Sequence, residues 1–327
     1  MGYSGPLSKL TTRWKTHGGG GEEGSTPESF LSLIMGEDAT FPGDVSNAST
    51  KPVGEEITIS ASYEALGGGP LAPGSHVSFR HGGKFQCVAC AKDVKKLFDG
   101  FCFPCLKTQA QADKCVMNPH LCHFANGTCR DPSWGVDFCY QPHFVYLSHT
   151  DKFKVGITRK GQVPTRWIDQ GATAASLVAR VNSRHQAGVL EKILAEVVSD
   201  RSHWSNMLKA GNTRPSADEV LARRSELLSF LSSHPAVAAG EHVVDKPLSA
   251  AAGSGSGPAI EFLPPRVVFI EYPLPDTTPA KIVSTSLDKS PTVEGELLGV
   301  KGQYLFLPGV VFNVRRHEGY VAEVGSH

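Results

Sequence analysis

The chain of 327 residues has no excess charge of either sign, with 32 Lys and Arg against 32 Asp and Glu. No global field therefore draws it to nucleic acid, and any anion-binding surface has to be a local patch. It also lacks an unbroken run of about 18 apolar residues, which excludes an ordinary membrane-spanning helix. The opening "MGYSGPLSKL" lacks the charged, apolar, small-residue order of a secretory signal. We therefore expect a soluble, cytoplasmic protein with no membrane partner. Cysteine is missing from most of the chain, because all eight lie within residues 84–142. Without a secretory signal a disulfide framework is not expected, and crowding of this kind points to metal ligation.

Composition divides what is present. Residues 1–54 read as a mostly mobile N-terminal segment, since 17–54 are rich in Gly, Ser, Thr and Pro and offer too little apolar surface to offset the entropy of ordering. Residues 55–142 carry two alternating strand patterns, "EITISASYEAL" and "GSHVSFRHGGKFQC", followed by the cysteines. Residues 143–232 alternate strand and helix patterns and form an α/β core. Residues 233–260 read as a linker or disordered insertion, and 261–327 as a β-rich unit that the strands at 56–86 would complete.

"CVACAKDVKKLFDGFCFPC" holds Cys87, Cys90, Cys102 and Cys105 as two CxxC knuckles eleven residues apart. A tight CxxC turn aims two thiolates at one point, and two such turns supply the four soft ligands that tetrahedral zinc prefers. Cys115, Cys122, Cys129 and Cys139 follow at wider spacing, with His120, His123 and His143 as competing donors. They form a second zinc site or are buried free thiols; the spacing leaves both open. No ligand is replaced by a carboxylate or an open position, so the expected zinc, one ion or two, is structural.

"HFVYLSH" and "FKVGIT", joined by the polar "TDK", predict a β-hairpin in which Gly156 marks a bulge or a close backbone approach. Pro164 and Thr165 suit a helix start, with Arg166 and Trp167 in its first turn and Gly171 at its end. An arginine there opposes the helix dipole and suggests an anionic partner. Val189, Leu190, Ile193, Leu194, Val197 and Val198 recur at helical spacing as one buried stripe flanked by Glu191. Ser216 to Glu219 carry a capping pattern that opens another helix. Asp169 and Gln170 suit either polar recognition or the helix end. Trp167 and Trp204 are read as core, and the "KDVKK" run with Arg315 and Arg316 as solvated charge able to contact phosphates.

"FVY", "KVG", "TRW" and the later Glu191 resemble the GIY-YIG nuclease superfamily. That resemblance implies an α+β fold with a small mixed sheet, here preceded by a zinc ribbon and accompanied by a small β-rich unit built from N- and C-terminal strands. It implies that Tyr146 helps activate water, that Arg166 binds the scissile phosphate and that Glu191 holds a divalent metal such as magnesium. Lys154 stands where the family has its second tyrosine. It can bind a phosphate as a point charge, or act as a base if its pKa is depressed, but it cannot reproduce a phenol's geometry.

A wider resemblance rests on "NPHLCHFANGTCRDPSWG", "VGITRKGQVPTRWIDQGA", "DRSHWSNML" and "LLGVKGQYLFLPGVVFNVRRHEGY". Together these look like the bacterial family called domain of unknown function 2797, which implies kinship and no particular activity. Two functions follow as expectations. One is a nucleic-acid-binding protein with a metal-dependent phosphodiester-cleaving site. The other is a non-catalytic zinc-ribbon module for nucleic acid or a protein.

Overall fold

The computed structural model describes residues 2–17, 26–35, 56–199, 203–238, 260–275 and 282–326. The architecture is mixed α+β. A seven-stranded sheet runs in the order Thr11–His17, Glu56–Glu64, Val267–Glu271, Ala174–Val181, His143–His149, Phe153–Arg159, with Ile260–Phe262 also paired to Ala174–Val181. A five-stranded sheet joins Gly2–Pro6, Tyr320–Ser326, His76–Gln86 and Thr292–Glu296, with Asp93–Val94 on the edge of His76–Gln86. A four-stranded sheet runs from Ser284–Thr285 through Val310–Asn313 and Tyr304–Leu307 to Gly299–Lys301. Among the described residues no sheet closes into a barrel.

The hairpin forms where its alternation places it, and Tyr146 pairs with Gly156 while Ser148 pairs with Lys154. Side chains two residues apart share a face, so Tyr146 and Lys154 project from the same side of the sheet. That side packs Phe144, Tyr146, Ala175, Leu177, Ile57, Ile59, Val268 and Ile270 against Trp167 and against residues of the other two sheets. The opposite side packs Val145, Leu147, Val155, Val267 and Phe269 under helices Arg184–Leu194 and Ala217–Ser233. A register shift at Val145/Tyr146 against Ala174–Val181 places both Val178 and Ala179 on this second side. With both faces covered, each buried aliphatic or aromatic side chain contributes about 1.5–3 kcal/mol.

Helix Ala217–Ser233 opens with the expected reciprocal cap: the Ser216 hydroxyl accepts from Glu219 N at 3.2 Å and the Glu219 carboxylate accepts from Ser216 N at 2.7 Å. Its buried Arg224 donates to the carbonyls of Leu177, at 2.8 Å, and Leu263. Helix Arg184–Leu194 stops at Leu194, so the expected stripe is cut short and Val197 is 41% exposed while Val198 is buried.

Three expectations about the frame are corrected. Strand Glu56–Glu64 leaves the C-terminal β-unit and lies between Thr11–His17 and Val267–Glu271 in the large sheet, because its alternate residues Ile57, Ile59, Ala61 and Tyr63 bury against the main core. Residues 1–54 contain strands Gly2–Pro6 and Thr11–His17 and helix Pro27–Met35, whose Phe30, Leu31 and Ile34 recur at helical spacing and are buried. The remaining parts of the stretch read as mobile, 18–25 and 36–54, lie outside the described residues, as do 239–259 of the expected linker. Finally, ladders cross the boundaries expected at 142 and 260, since strands from both flanking segments hydrogen-bond into the sheet of the α/β core.

Candidate functional site

The first cysteine block folds as two turns beside the end of His76–Gln86. Ala91 (φ 55°), just after the first knuckle, and Asp99 (φ 49°), just before the second, take left-handed backbone, which lets the chain reverse tightly there. The second knuckle opens helix Phe103–Thr108, with Cys102 before its first residue and Cys105 buried within it. Cys102 N donates to Cys87 Sγ at 3.2 Å, and Cys90 and Cys102 sulfurs lie 3.9 Å apart. The four Sγ atoms of Cys87, Cys90, Cys102 and Cys105 all lie within 4.8 Å of one another. Burial pushes the Cys87 thiol up, but N–H groups of Cys102, Cys90 and Ala89 outweigh it and bring it down to about 6. This set could hold a metal ion such as zinc.

The second block, residues 110–139, is a chain of short turns and helices. Cys115, Cys122, Cys129 and Cys139 line one small cavity together with Asp113, His123, Arg130 and Trp134. His120 and His143 are elsewhere. His120 packs its backbone against Gly188, and His143 is buried in its strand with Nδ1 at the Gln141 carbonyl, 2.7 Å away. Burial lowers the His143 pKa to about 4, so the ring is neutral at physiological pH.

The residues singled out from the hairpin and its helices come together in part. Tyr146 is fully buried, and its hydroxyl donates to Gln170 Oε1 at 2.8 Å. Gly156 lies directly beneath that ring: a Cβ there would sit 2.6 Å from the Tyr146 hydroxyl oxygen, so only glycine leaves room. The predicted close approach is what the strand contains. Burial raises the Tyr146 pKa, the nearby Arg166 guanidinium opposes the rise and the Glu191 carboxylate adds to it. Both charged groups therefore act on the phenol electrostatically.

Lys154 is 8% exposed and has no hydrogen-bond or ion-pair partner among the described residues. Burial, and after it the charge of Arg166, lowers its pKa to about 8 against the opposing pull of Asp151. Arg166 itself is half-buried in the short helix Thr165–Asp169, and Glu191 is half-buried on Arg184–Leu194. Arg166 thus acts electrostatically on both Tyr146 and Lys154, and Glu191 acts on Tyr146. The Tyr146 phenol is sealed beneath packing that includes an edge-to-face contact with Trp167 at 6.0 Å.

Asp169 and Gln170 do more than end the helix. The Asp169 carboxylate accepts from Lys9 at 2.8 Å, Thr12 at 2.9 Å and Gln303 at 3.0 Å, tying an N-terminal and a C-terminal segment to this helix. Gln170 holds the tyrosine. Trp167 is core, as expected, whereas Trp204 is half-buried and stacks on Tyr304 with ring planes 10° apart.

Spacing gave no hint of three further cations. Arg159 and Arg184 lie over the Phe138 ring, 4.2 and 5.7 Å from its centroid. Lys301 is wholly buried, donates to the carbonyls of Met207 (3.0 Å) and Gly211, and has its pKa lowered to about 7 by burial. Only an alternation of "GVKGQYLF" that puts lysine on an inward position could have flagged it.

Among the described residues no helix is long and apolar enough to cross a membrane. The family described as protein of unknown function (DUF2797) matches residues 74–322 of the chain. No curated protein and no solved structure matches it.

Proposed function

We propose, from the premise that the chain belongs to the family of unknown function DUF2797, that this protein binds nucleic acid through a phosphodiester anion seated at Arg166 and Lys154. One observation carries the reading. Two neighbouring cations, one of them nine-tenths buried, have no ion-pair partner among the described residues. Like charges held together at low dielectric are costly, and a bound phosphate oxygen relieves both at once. Arg166 supplies a forked donor and Lys154 a point charge, a division of labour suited to a tetrahedral anion.

The resemblance to GIY-YIG nucleases is supported by the order hairpin, helix, strand, helix, with Ala174–Val181 lying against the first hairpin strand. Binding is favoured over cleavage because the Tyr146 hydroxyl is sealed and committed to Gln170 rather than open to water. The four-cysteine ribbon, if zinc-loaded, adds a second phosphate-contacting surface: Lys92, Lys95, Lys96 and Lys107 are exposed around it, and Lys107 lies 4.3 Å from the centroid of the exposed Phe103 ring. Lysine beside an open aromatic face suits backbone contact plus base stacking.

Fluorescence anisotropy with labelled single-stranded DNA, duplex DNA and structured RNA at low salt tests this. We expect Arg166→Ala to weaken binding about tenfold or more, the loss of a charge-assisted contact worth about 1.5–3 kcal/mol. Unchanged affinity for all three probes removes the site. Magnesium-dependent products that vanish with Glu191→Gln replace the binding-only reading with a nuclease.

A further inference from the structure

The block from Lys114 to Cys139 has no evident means of holding itself together. Its elements are helix Lys114–Met117, the 3-10 turns Pro119–Leu121 and Phe124–Asn126, and helix Pro132–Cys139, with no strand among them. The buried residues of these elements are Pro119, Gly135 and Cys139, and apolar side chains that would serve a core are instead exposed, Met117 at 82% and Leu121 at 55%. A segment this poor in apolar burial requires a covalent or metal staple to overcome its chain entropy.

The four cysteines of the block surround one small cavity. Helix Pro132–Cys139 is drawn onto it at Gly135, where a Cβ would stand 2.8 Å from the Phe124 ring and 3.5 Å from Cys129 Sγ. We infer that this cavity is a second, closed zinc site whose ligands are the thiolates of Cys115, Cys122, Cys129 and Cys139.

In this block Asp113, Cys115 and His123 are the donors whose ligand atoms lie within 4.8 Å of one another, while the four cysteines share the lining of the cavity, so the ligand set has to be chosen. Asp113 is already engaged: one oxygen accepts from Cys115 N at 3.2 Å, and the other meets Arg130 Nε at 2.8 Å and His123 Nε2 at 3.5 Å. His123 Nδ1 faces Thr128 Oγ1 at 2.8 Å. Both therefore act around the site rather than in it, as partners that orient ligands from behind.

Charge favours the same choice. Four thiolates on a divalent ion leave a net charge of about −2, and the guanidinium groups of Arg159 and Arg184 sit over Phe138, beside Cys139, with their charges acting on its thiol. A histidine or fewer thiolates would leave these two half-buried cations undercompensated. The site also reaches the rest of the molecule. Arg184 donates to the Val116 carbonyl, and Gly188 is pressed against Pro119 and His120, so the metal fixes helix Arg184–Leu194 and with it Glu191.

The full chain, purified with zinc as the sole added metal, tests this by elemental analysis and zinc X-ray absorption. We expect about two zinc ions per chain and a first shell of sulfur alone, near 2.3 Å. Cys139→Ser and Cys129→Ser should each lower the content to about one ion, whereas His123→Gln and Asp113→Asn should keep two. One ion in the unaltered chain overturns the proposal, as does a shell containing nitrogen or oxygen, or loss of zinc in the His123 variant. Because the absorption measurement uses the unaltered chain, it decides the ligand set even where a cysteine variant does not fold.

Discussion

Lys154 is a lysine placed where water barely reaches it, and its neighbours make its charge a pH-dependent quantity. Its ordinary pKa of 10.5 falls to about 8 through burial first and the Arg166 charge second. A phosphate contact needs the protonated amine, which is lost as pH rises through about 8. We therefore expect nucleic-acid affinity to fall between about pH 7 and pH 9. Lys154→Met should bind more weakly at neutral pH and show a flatter profile over that range. Anisotropy titrations across the range check it, and a wild-type profile as flat as that of the methionine variant would show that Lys154 does not face the anion. Gly156 belongs to the same residue-scale device. Its missing Cβ is what lets the Tyr146 ring lie across the hairpin and reach Gln170.

At the scale of elements, the cysteine block and helix Arg184–Leu194 are held in contact by the absence of one methyl group. A Cβ on Gly188 would stand 2.5 Å from Pro119 Cβ and 2.6 Å from His120 N, and backbone cannot swing aside as a flexible side chain can. Two effects of Gly188→Ala oppose each other. Alanine in a helix interior gains about 1 kcal/mol over glycine, while overpacking against rigid atoms costs about 1–3 kcal/mol. We expect the clash to prevail, giving a net loss of roughly 1 kcal/mol in denaturant unfolding, with faster zinc release to a chelator. A gain in stability would show that the two elements are not docked in solution. The hairpin makes a comparable point: its turn and pairing are local, but the face it buries is set by helices and strands from elsewhere in the chain.

Across the whole molecule, Lys301 is a buried cation whose position ties stability to pH. It lies on the four-stranded sheet and bonds carbonyls of the segment 207–211, so it links the C-terminal unit to the chain that leaves the α/β core. In the unfolded chain its pKa is 10.5, and in the folded protein burial holds it at about 7. Between those values the unfolded chain carries a proton that the folded chain does not. Stability should therefore climb as pH rises from about 7 to about 10, and the penalty is complete below about 7. Lys301→Met should remove this part of the climb, a difference on the order of 2–4 kcal/mol over the range. Urea unfolding of both proteins at matched pH measures it, and parallel curves would mean the amine stays protonated inside.

The parts that were legible in the sequence are those whose cause lies within a few residues. Two CxxC turns, the Ser216–Glu219 cap, the hairpin with its Gly156 and the turn at Gly171 each depend on spacing or backbone freedom that neighbouring residues settle, and each appears where the pattern puts it. Helix Pro27–Met35 was hidden because its flanks are polar and glycine-rich, and its Phe30, Leu31 and Ile34 gain meaning only from the sheet they cover. Strand Glu56–Glu64 shows the same limit: alternation marks it as a strand, but its partners lie across the chain at Thr11–His17 and Val267–Glu271. The sequence by itself determined the paired CxxC turns that gather four thiols and the short elements, hairpin and capped helix, that form locally. Only the tertiary structure decided that Tyr146 is sealed, that Lys154 is left without a partner among the described residues and that four scattered cysteines share one cavity. Exposure and convergence are properties of how distant surfaces pack, and spacing along a chain does not encode which surfaces meet.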